Sequence, residues 1–467
     1  MSSDELFRLQ NGNSGINDHD YYSREKYESD FPKIWEKLKE KNLAKKSIRE
    51  IENSDLFKFS PYKTLTDDQL DTIHAILDMI YNKIQSQNTN NNQTAILVSG
   101  SAGTGKTVLA IYLMKLLNSI AQEPDSVDDL EELDNLGVLA AQIGHLNTAI
   151  VIPQQSLRRT IKKVFKSATG LQVKMVLSPT QVPQKKYDLL IVDETHRLRH
   201  RNALDRYDLF DNCNRKLGLD NKGTELDWIF KQSKMQILFY DPFQSVMPYD
   251  IPTETIEKKI KEKAYGYCEL TSQLRCIGGI DYINYIKKIL SDNPPEEMQE
   301  FNNYDLKLYD DVRSMINDIK ERDKQYGLCR TVAGFAWKWD SRNDKQKYDI
   351  KIGNFQARFN SQDKDWVNSK NALDEIGCIH TIQGYDLNYV GVIFGNEIIY
   401  DQKHKKIKVD KDNYFDIRGK SSPGSDEALR NYILQIYFTL MTRGIRGAYI
   451  FVCDDSLREY LSKFIPR

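Results

Sequence analysis

Short apolar runs separated by longer amphipathic stretches dominate the chain from about residue 60 onward. The runs at 94–100 (TAILVSG), 148–153 (TAIVIP), 187–194 (YDLLIVDE) and 236–241 (QILFYD) are rich in β-branched and large apolar residues. Such runs are typical of strands that are buried on both faces. Because helical patterns alternate with them, the sequence predicts an α/β unit with a parallel sheet covered by helices on both faces.

A second series of apolar runs predicts a second unit of the same kind. Two polar insertions, at 340–366 and 401–426, interrupt this series. The boundary between the units is expected near residues 247–263. The predicted strands of the second unit cover residues 331–339, 375–382, 389–395 and 447–454.

The first 58 residues have a different pattern. They alternate charged and aromatic residues, as in YYSREKYESDFPKIWEKLKEKN, which predicts one or two exposed helices with a weak core. An amphipathic helix with Thr66 at its N-cap then opens the first unit. We therefore divide the chain into a helical N-terminal extension (1–58), a first domain (59–250) and a second domain (251–467).

Composition limits the functional classes. Charged residues make up 28% of the 467 residues, the mean hydropathy is -0.60, and no apolar run approaches the roughly 20 residues of a membrane span. The N-terminus lacks the apolar core of a secretory signal. Six scattered cysteines without a CxxC pair indicate a reducing, cytoplasmic setting and argue against a zinc ribbon. Since the net charge is -1, nucleic-acid binding would need a local basic surface.

The segment GSAGTGKT fits the P-loop pattern Gly-x-x-x-x-Gly-Lys-Thr, with a buried strand before it and a helix after it. In this pattern backbone amides close around the phosphates, the lysine reaches the β- and γ-phosphates, and the threonine hydroxyl binds Mg²⁺. The sequence therefore predicts a nucleotide site made by Gly100, Ser101, Ala102, Gly103, Thr104, Gly105, Lys106 and Thr107.

Two adjacent carboxylates end the apolar run YDLLIV. Asp193 would hold Mg²⁺ through water, and Glu194 would polarise the attacking water. An Asp-Glu pair at a strand end is also common as an ordinary helix cap. Its position downstream of a P-loop favours the catalytic interpretation, and the adjacent glutamate predicts hydrolysis in addition to binding.

Five further polar residues begin a helix, follow a predicted strand, or lie in segments that link predicted elements. Gln244 (in FYDPFQ) and Gln69 (in LTDDQ) are candidates for the γ-phosphate and for adenine, respectively. Arg275 (in SQLRC), Arg443 and Arg446 are candidate arginines that stabilise phosphoryl transfer from another domain. Taken singly, each of the five is also compatible with an ordinary turn or a solvated surface side chain.

Two basic segments and a Trp-x-Trp pair are candidates for binding a nucleic-acid strand. Residues 157–166 (LRRTIKKVFK) and 196–206 (HRLRHRNALDR) would attract phosphates, and Trp337 and Trp339 would stack on bases. The alternative is that the charges are solvated and that the two tryptophans divide between core and surface.

In their order, these segments resemble the superfamily 1 DNA/RNA helicases and translocases over about residues 60–467. LTDDQ is similar to the Q motif, GSAGTGKT to motif I, AIVIPQQSLRRT to motif Ia, LLIVDETH to motif II and FYDPFQ to motif III. SQLRC, CIHTIQGYD and FTLMTRG resemble motifs IV, V and VI. The segments VIPQQSLRRTIKKVF, VDETHRLRH and AGFAWKW look closest to a bacterial helicase-like group of unknown function that is related to the ATPase domain of Schlafen proteins.

The resemblance implies two RecA-like P-loop NTPase domains with ATP in the cleft between them. Arg275 and Arg443 would reach across the cleft, Gly384 would lie near the γ-phosphate, and Asp386 near the ribose. His380, Thr381 and Gln383 of motif V would face nucleic acid or the cleft. Cys378 stands where the family often has a threonine that contacts the strand, which weakens the expectation of a firm grip on nucleic acid.

The predicted function is an ATP- and Mg²⁺-dependent helicase or translocase that acts in the cytoplasm on single-stranded DNA or RNA or on nucleic-acid–protein complexes. The group that it resembles adds the expectation of a role in bacterial defence. The alternative is a nucleotide-state switch that regulates a protein partner through residues 1–58 without translocation. A small-molecule kinase fits poorly, because it has no use for Gln69, Gln244 and two distal arginines, and because Glu194 favours water as the nucleophile.

Overall fold

In the computed structural model, residues 24–85, 93–122, 143–202, 204, 206–242, 244, 249–362, 365–382, 385–416, 419–420 and 425–467 are described. Within these ranges the strands form two larger sheets and two hairpins. The acidic stretch at residues 122–135 (QEPDSVDDLEELDN), whose composition predicts a surface insertion, lies outside these ranges except for its first residue.

The first sheet has six parallel strands in the order β3-β2-β4-β5-β1-β6. Its central strands are buried along nearly their whole length, because helices cover both faces. The strands are β1 (Thr94–Gly100), β2 (Thr148–Val151), β3 (Val176–Leu177), β4 (Tyr187–Val192), β5 (Ser233–Tyr240) and β6 (Ala264–Leu270).

The second sheet has four parallel strands in the order β7-β14-β11-β8. Two antiparallel hairpins, β9–β10 and β12–β13, occupy the polar insertions. The bounds are β7 (Asp305–Tyr309), β8 (Arg330–Ala333), β9 (Ile350–Ile352), β10 (Phe355–Ala357), β11 (Leu387–Phe394), β12 (Ile398–Asp401), β13 (Lys406–Val409) and β14 (Gly444–Val452). The predicted α/β class with two parallel sheets is confirmed.

Amphipathic helices supply the outer layers. In α4, for example, Ile73, Ile76, Leu77 and Ile80 are buried at the spacing of one helical face. None of the helices in the described ranges is long and apolar enough to cross a membrane. The helices are α1 (Arg24–Glu40), α2 (Ile48–Glu52), α3 (Asp55–Lys58), α4 (Asp67–Gln85), α5 (Lys106–Gln122), α6 (Gln155–Ser167), α7 (Tyr207–Lys216), α8 (Glu225–Gln232), α9 (Thr253–Lys261), α10 (Gly279–Ile289), α11 (Val312–Tyr326), α12 (Ile379–Ile382), α13 (Asp426–Met441) and α14 (Asp455–Leu461).

The sheets place the border between the two units later than the sequence predicts. β6 follows residue 250, yet it pairs with β1 along its whole length as the edge strand of the first sheet. The chain therefore leaves the first sheet after Leu270. β6 escaped prediction because its sequence, AYGYCEL, is too mixed to show the pattern of a buried strand.

The stretch 375–382 is not the strand that its apolar residues predict. Ile376 and Gly377 form only isolated bridges, and the chain then turns into the short helix α12. The turn is closed locally, because the Thr381 N–H and the Thr381 hydroxyl both donate to the Cys378 carbonyl.

The candidate nucleotide site

The P-loop has the backbone shape that its glycines predict. It joins β1 to the N-terminus of α5, and both Gly103 and Gly105 adopt left-handed φ values, 90° and 80°. A Cβ atom at Gly103 would lie 1.9 Å from the Gln273 side-chain oxygen, so neighbouring chain packs closely against the loop. Residues other than glycine rarely tolerate this combination of backbone angle and contact.

Lys106 is buried at the first turn of α5 and points back along the loop. Its Nζ donates to the carbonyl oxygens of Gly100 at 2.7 Å and Ser101 at 2.8 Å. Asp241, which directly follows β5, lies 3.4 Å from the same nitrogen. A bound phosphate would therefore find the ammonium group held in place at the end of the sheet.

Asp193 is a buried acid with one open oxygen. Its Oδ1 accepts the Glu194 N–H at 3.0 Å, whereas Oδ2 has no hydrogen-bond partner within the described parts of the chain. Burial and the neighbouring charge of Glu194 raise the pKa of Asp193, and the adjacent Thr107 hydroxyl lowers it. A divalent cation would favour the ionised carboxylate at this point, so the open oxygen and the hydroxyl fit Mg²⁺.

Glu194 is paired with His196, a buried residue whose role no pattern in the sequence indicates. The Glu194 Oε2 lies 2.8 Å from His196 Nε2. His196 Nδ1 accepts the Asp241 N–H at 3.3 Å, so in the neutral ring the proton is on Nε2 and faces the carboxylate. Burial opposes ionisation of Glu194, but His196 keeps the pKa of Glu194 well below its usual value.

Gln244 connects the two units across the cleft. Its Nε2 donates to Asp241 Oδ2 at 2.5 Å, and its Oε1 accepts from Arg443 NH2 at 3.5 Å. Arg443 is almost wholly buried, and burial together with nearby Arg275 lowers the pKa of Arg443 to about 10. The chain of contacts from Lys106 through Asp241 and Gln244 therefore ends on an arginine of the second unit.

Asp386 holds the other candidate arginine. Its carboxylate forms an ion pair with Arg275 Nε. Burial alone would raise the pKa of Asp386, but the charges of Arg275, Lys58 and Arg443 outweigh it. The pKa is therefore below its usual value, and the carboxylate remains ionised. Arg275 NH1 has no hydrogen-bond partner in the residues that the structure describes.

Most of these groups line one cavity of about 290 Å³ between the two units, whereas the buried Asp193, His196 and Asp241 lie outside its lining. The lining includes cations of both units and the acids Glu194 and Asp386, and residues of the N-terminal extension also contribute. The cavity residues that the sequence predicted are Gln69, Gly103, Gly105, Lys106, Thr107, Glu194, Gln244, Arg275, Asp386 and Arg443.

Residues 93–454 match the model of the Schlafen group 3 DNA/RNA helicase domain. The chain belongs to this family. The match covers all the strands of both larger sheets.

Individual proteins give weaker likenesses. The chain is 28% identical over 403 residues to the uncharacterized protein YPL245W of Saccharomyces cerevisiae, covering 78% of this chain and 83% of the relative. The Pif1 helicase structure from Candida albicans has a TM-score of 0.32 and 12% identity over 86% of this chain and 97% of its own. A DNA replication initiation factor has a TM-score of 0.24 and 13% identity over 58% of this chain and 66% of its own.

Upstream of the residues that match the Schlafen group 3 domain, Gln69 supports the P-loop. It is buried, its Nε2 donates to the Thr104 carbonyl at 3.0 Å, and its Oε1 accepts the Thr66 N–H at 3.2 Å. Both ends of the amide are thus already engaged. Gln69 lines the cavity, and these contacts show that it supports the P-loop. Its contact with adenine stays a prediction.

Several other predicted residues lie elsewhere. Arg446 is exposed, and its guanidinium stacks over the Tyr326 ring at 4.8 Å, outside the lining of the cavity. Thr381 was expected to face nucleic acid or the cleft, but it is buried against Cys378. Gln383 and Gly384 lie outside the described residues.

The basic segment 196–206 of the Schlafen group 3 domain is not an open cationic surface. Arg199 pairs with the buried Glu225 at 2.8 Å, and Arg201 pairs with Asp211 at 2.7 Å. The high local charge reflects ion pairs that fix the segment after Glu194. These pairs leave less free charge for phosphates among the described residues, and a phosphate-binding surface there stays a prediction.

The second basic segment keeps free charge on its outer face. In α6, Arg158 turns inward and donates to the carbonyl oxygens of Ile152 and Pro153, whereas Arg159 and Lys166 are exposed. The apolar face of the helix is buried in the first unit. α6 is thus the better supported of the two basic segments.

Trp337 and Trp339 are half-buried. The Trp339 ring lies 5.6 Å from that of Phe359, and Arg342 lies over it at 5.8 Å. Both tryptophans pack against the core of the second unit. Their exposed edges leave stacking on a base as a prediction.

Proposed function

We propose that the protein is an ATP- and Mg²⁺-dependent helicase-type NTPase that acts on single-stranded DNA or RNA. The observation that carries this proposal is the shared cavity, which joins a P-loop and Glu194 of the first unit to Arg443 and Asp386 of the second. A nucleotide bound there would touch both units. Its hydrolysis would therefore change how the units are held together.

The chain's own residues have distinct roles in this proposal. Lys106 binds the β- and γ-phosphates, while Glu194 orients and polarises the attacking water, with His196 holding the carboxylate in place. Arg275 and Arg443 stabilise the charge that develops on the γ-phosphoryl group. Held by Thr107 and Asp193, Mg²⁺ would neutralise phosphate charge.

The contact between Gln244 and Arg443 supports coupling between nucleotide state and the cleft. Loss of the γ-phosphate would remove the anion that attracts Arg443 toward the P-loop. Opening and closing of the cleft would then move the exposed cations of α6 relative to the second unit, which is the motion that translocation needs. Action in the cytoplasm and a role in bacterial defence remain predictions from the sequence.

Turnover in the Lys106→Ala variant tests the site. We expect hydrolysis of ATP with Mg²⁺ by the wild type and a loss of about 100-fold or more in the variant, since the phosphates lose their bound cation. Lys115→Ala is the matched control, because Lys115 lies on the same helix and donates to Ser119. Equal turnover of wild type and Lys106→Ala would contradict the assignment.

Stimulation by polymers separates the motor from a nucleotide-state switch. Adding single-stranded DNA or RNA should raise the ATPase rate several-fold if the protein moves along a strand. A rate that is indifferent to both polymers would favour the switch, in which the same cavity regulates a partner without translocation.

A further inference from the structure

Two short helices upstream of the first unit bridge the cavity from outside. Helices α2 and α3, residues 48–58, are called the strap here; Ser47 and Ser54 cap them at their N-termini. Toward the first unit, Thr160 of α6 donates to Asp55 Oδ2 at 3.4 Å. The strap contains no fully buried residue, so its position depends on such polar contacts.

More contacts tie the strap to the second unit. Arg49 NH1 donates to the Lys324 carbonyl at 2.7 Å, and Asn53 Nδ2 donates to the Tyr326 carbonyl at 2.9 Å. Asn388 Nδ2 donates in turn to Asn53 Oδ1 at 3.1 Å. The strap is therefore fastened at the end of α11 and at the start of β11, two residues after Asp386.

The last residue of the strap reaches into the cavity itself. Lys58 Nζ donates to the backbone carbonyl of Asp386 at 2.9 Å, and Lys58 lines the cavity beside Arg275. Arg275 Nε forms an ion pair with the Asp386 carboxylate, and neither Nε nor NH1 of Arg275 has a hydrogen-bond partner in the described part of the chain. Lys58 thus holds the backbone of Asp386, and the Asp386 carboxylate orients the Arg275 guanidinium.

We infer that Lys58 is a positioning residue for Arg275: it holds Asp386 so that the ion pair directs the guanidinium at the γ-phosphate. The inference rests on the proposed function, because it concerns the orientation of an arginine that acts on bound nucleotide. It assigns the strap to the NTPase machinery, whereas the sequence alone offered residues 1–58 as a surface for another protein.

A double-mutant cycle tests the connection. Lys58→Met should lower kcat about 10-fold to 100-fold while KM for ATP changes little, because a misplaced arginine affects the transition state more than nucleotide binding. If Lys58 acts through Arg275, then the double variant Lys58→Met/Arg275→Met should be no slower than Arg275→Met alone. Lys58→Arg, which keeps the charge and the donor, should recover most of the turnover. Lys45→Met, an exposed position before the strap, is the control.

Multiplicative losses in the double variant, or wild-type kcat in Lys58→Met, would overturn the inference. Hydrogen exchange without nucleotide gives a readout that does not depend on hydrolysis. The Leu387 and Asn388 amides donate to the carbonyl oxygens of Arg443 and Leu328. They should exchange about fivefold faster or more in Lys58→Met, but not in Lys45→Met.

The two experiments separate two failures. If the wild type neither binds nor hydrolyses ATP, then the proposed function fails, and hydrogen exchange alone decides whether Lys58 positions the Asp386 segment. If exchange at these amides is unchanged in Lys58→Met, then the positioning role is refuted whatever the ATPase rate.

Discussion

Replacing Arg443 by methionine should remove most turnover without weakening the fold. The Arg443 side chain is 3% exposed and lies close enough to Arg275 for the two charges to repel. Its hydrogen bond across the cleft, to Gln244, is long at 3.5 Å. Burial of this charge is costly to the free protein even though Asp386 and Glu194 attract it, and a bound anion would offset the cost.

The cost follows from the shift of the side chain's pKa. Burial and Arg275 lower the pKa of Arg443 from its ordinary value to about 10. Since one pKa unit is worth about 1.4 kcal/mol, keeping the charge in the folded protein costs about 3 kcal/mol. The unfolded chain has the higher pKa, so stability would be regained only as pH rises above about 10, and the full cost applies at neutral pH.

Arg443→Met keeps the apolar stem and removes the charge. We expect the free energy of unfolding in urea to stay equal or to rise by up to about 3 kcal/mol. The kcat for ATP should fall about 1,000-fold or more, the range for an arginine that stabilises phosphoryl transfer. ATP should also raise the melting temperature of the wild type more than that of the variant.

The control is Arg313→Met, because Arg313 lies on the outer surface of the same unit and donates to the Asn354 carbonyl. Its turnover should match the wild type. The reasoning would be refuted if Arg443→Met kept turnover within about tenfold of the wild type, or if it lost more than about 2 kcal/mol of stability, as expected of a structural arginine.

Two further substitutions probe the fold and the P-loop. Burial raises the pKa of Glu397, which accepts from Tyr437, to about 7, so the folded state favours the protonated acid and stability should fall as pH rises from about 4.5 to about 7. Over this range, the free energy of unfolding in urea should fall by about 3 kcal/mol more for the wild type than for Glu397→Gln. Equal falls in the two proteins would contradict the shift. Gly103→Ala should weaken nucleotide binding about tenfold or more, because the new Cβ meets Gln273. Gly218→Ala, also at positive φ but with no atom within 4 Å, should lose only about 1 kcal/mol of stability and keep its affinity, as isothermal titration would show.

The parts of the site that could be predicted are those encoded over a few adjacent residues. The P-loop requires glycine at left-handed φ values, and this requirement is visible in the sequence between 100 and 107. Asp193 and Glu194 follow a strand whose apolar residues are all required by the parallel sheet. Fold class was predictable for the same reason, since strands buried on both faces are continuous apolar runs.

Elements at the edges of the sheets were harder to predict. β6 has one neighbour only, so it needs no continuous apolar run, and its strand character comes from pairing with β1. The hairpins β9–β10 and β12–β13 lie in segments dominated by charged residues, where alternation is weak. At 375–382 the apolar residues are buried, but local hydrogen bonds turn the chain into a helix.

Residues that act through the backbone left no mark in the sequence. Lys58 donates to a carbonyl group, which every residue possesses, and its acceptor lies 328 positions away. In a segment rich in lysine, nothing distinguishes Lys58 from the exposed Lys45 until the two sheets are assembled. The same holds for His196, because its orientation depends on the N–H of Asp241, which follows the neighbouring strand β5. Both side chains act on groups already recognised by motif, Arg275 and Glu194, so the structure adds the supports that hold predicted residues in position.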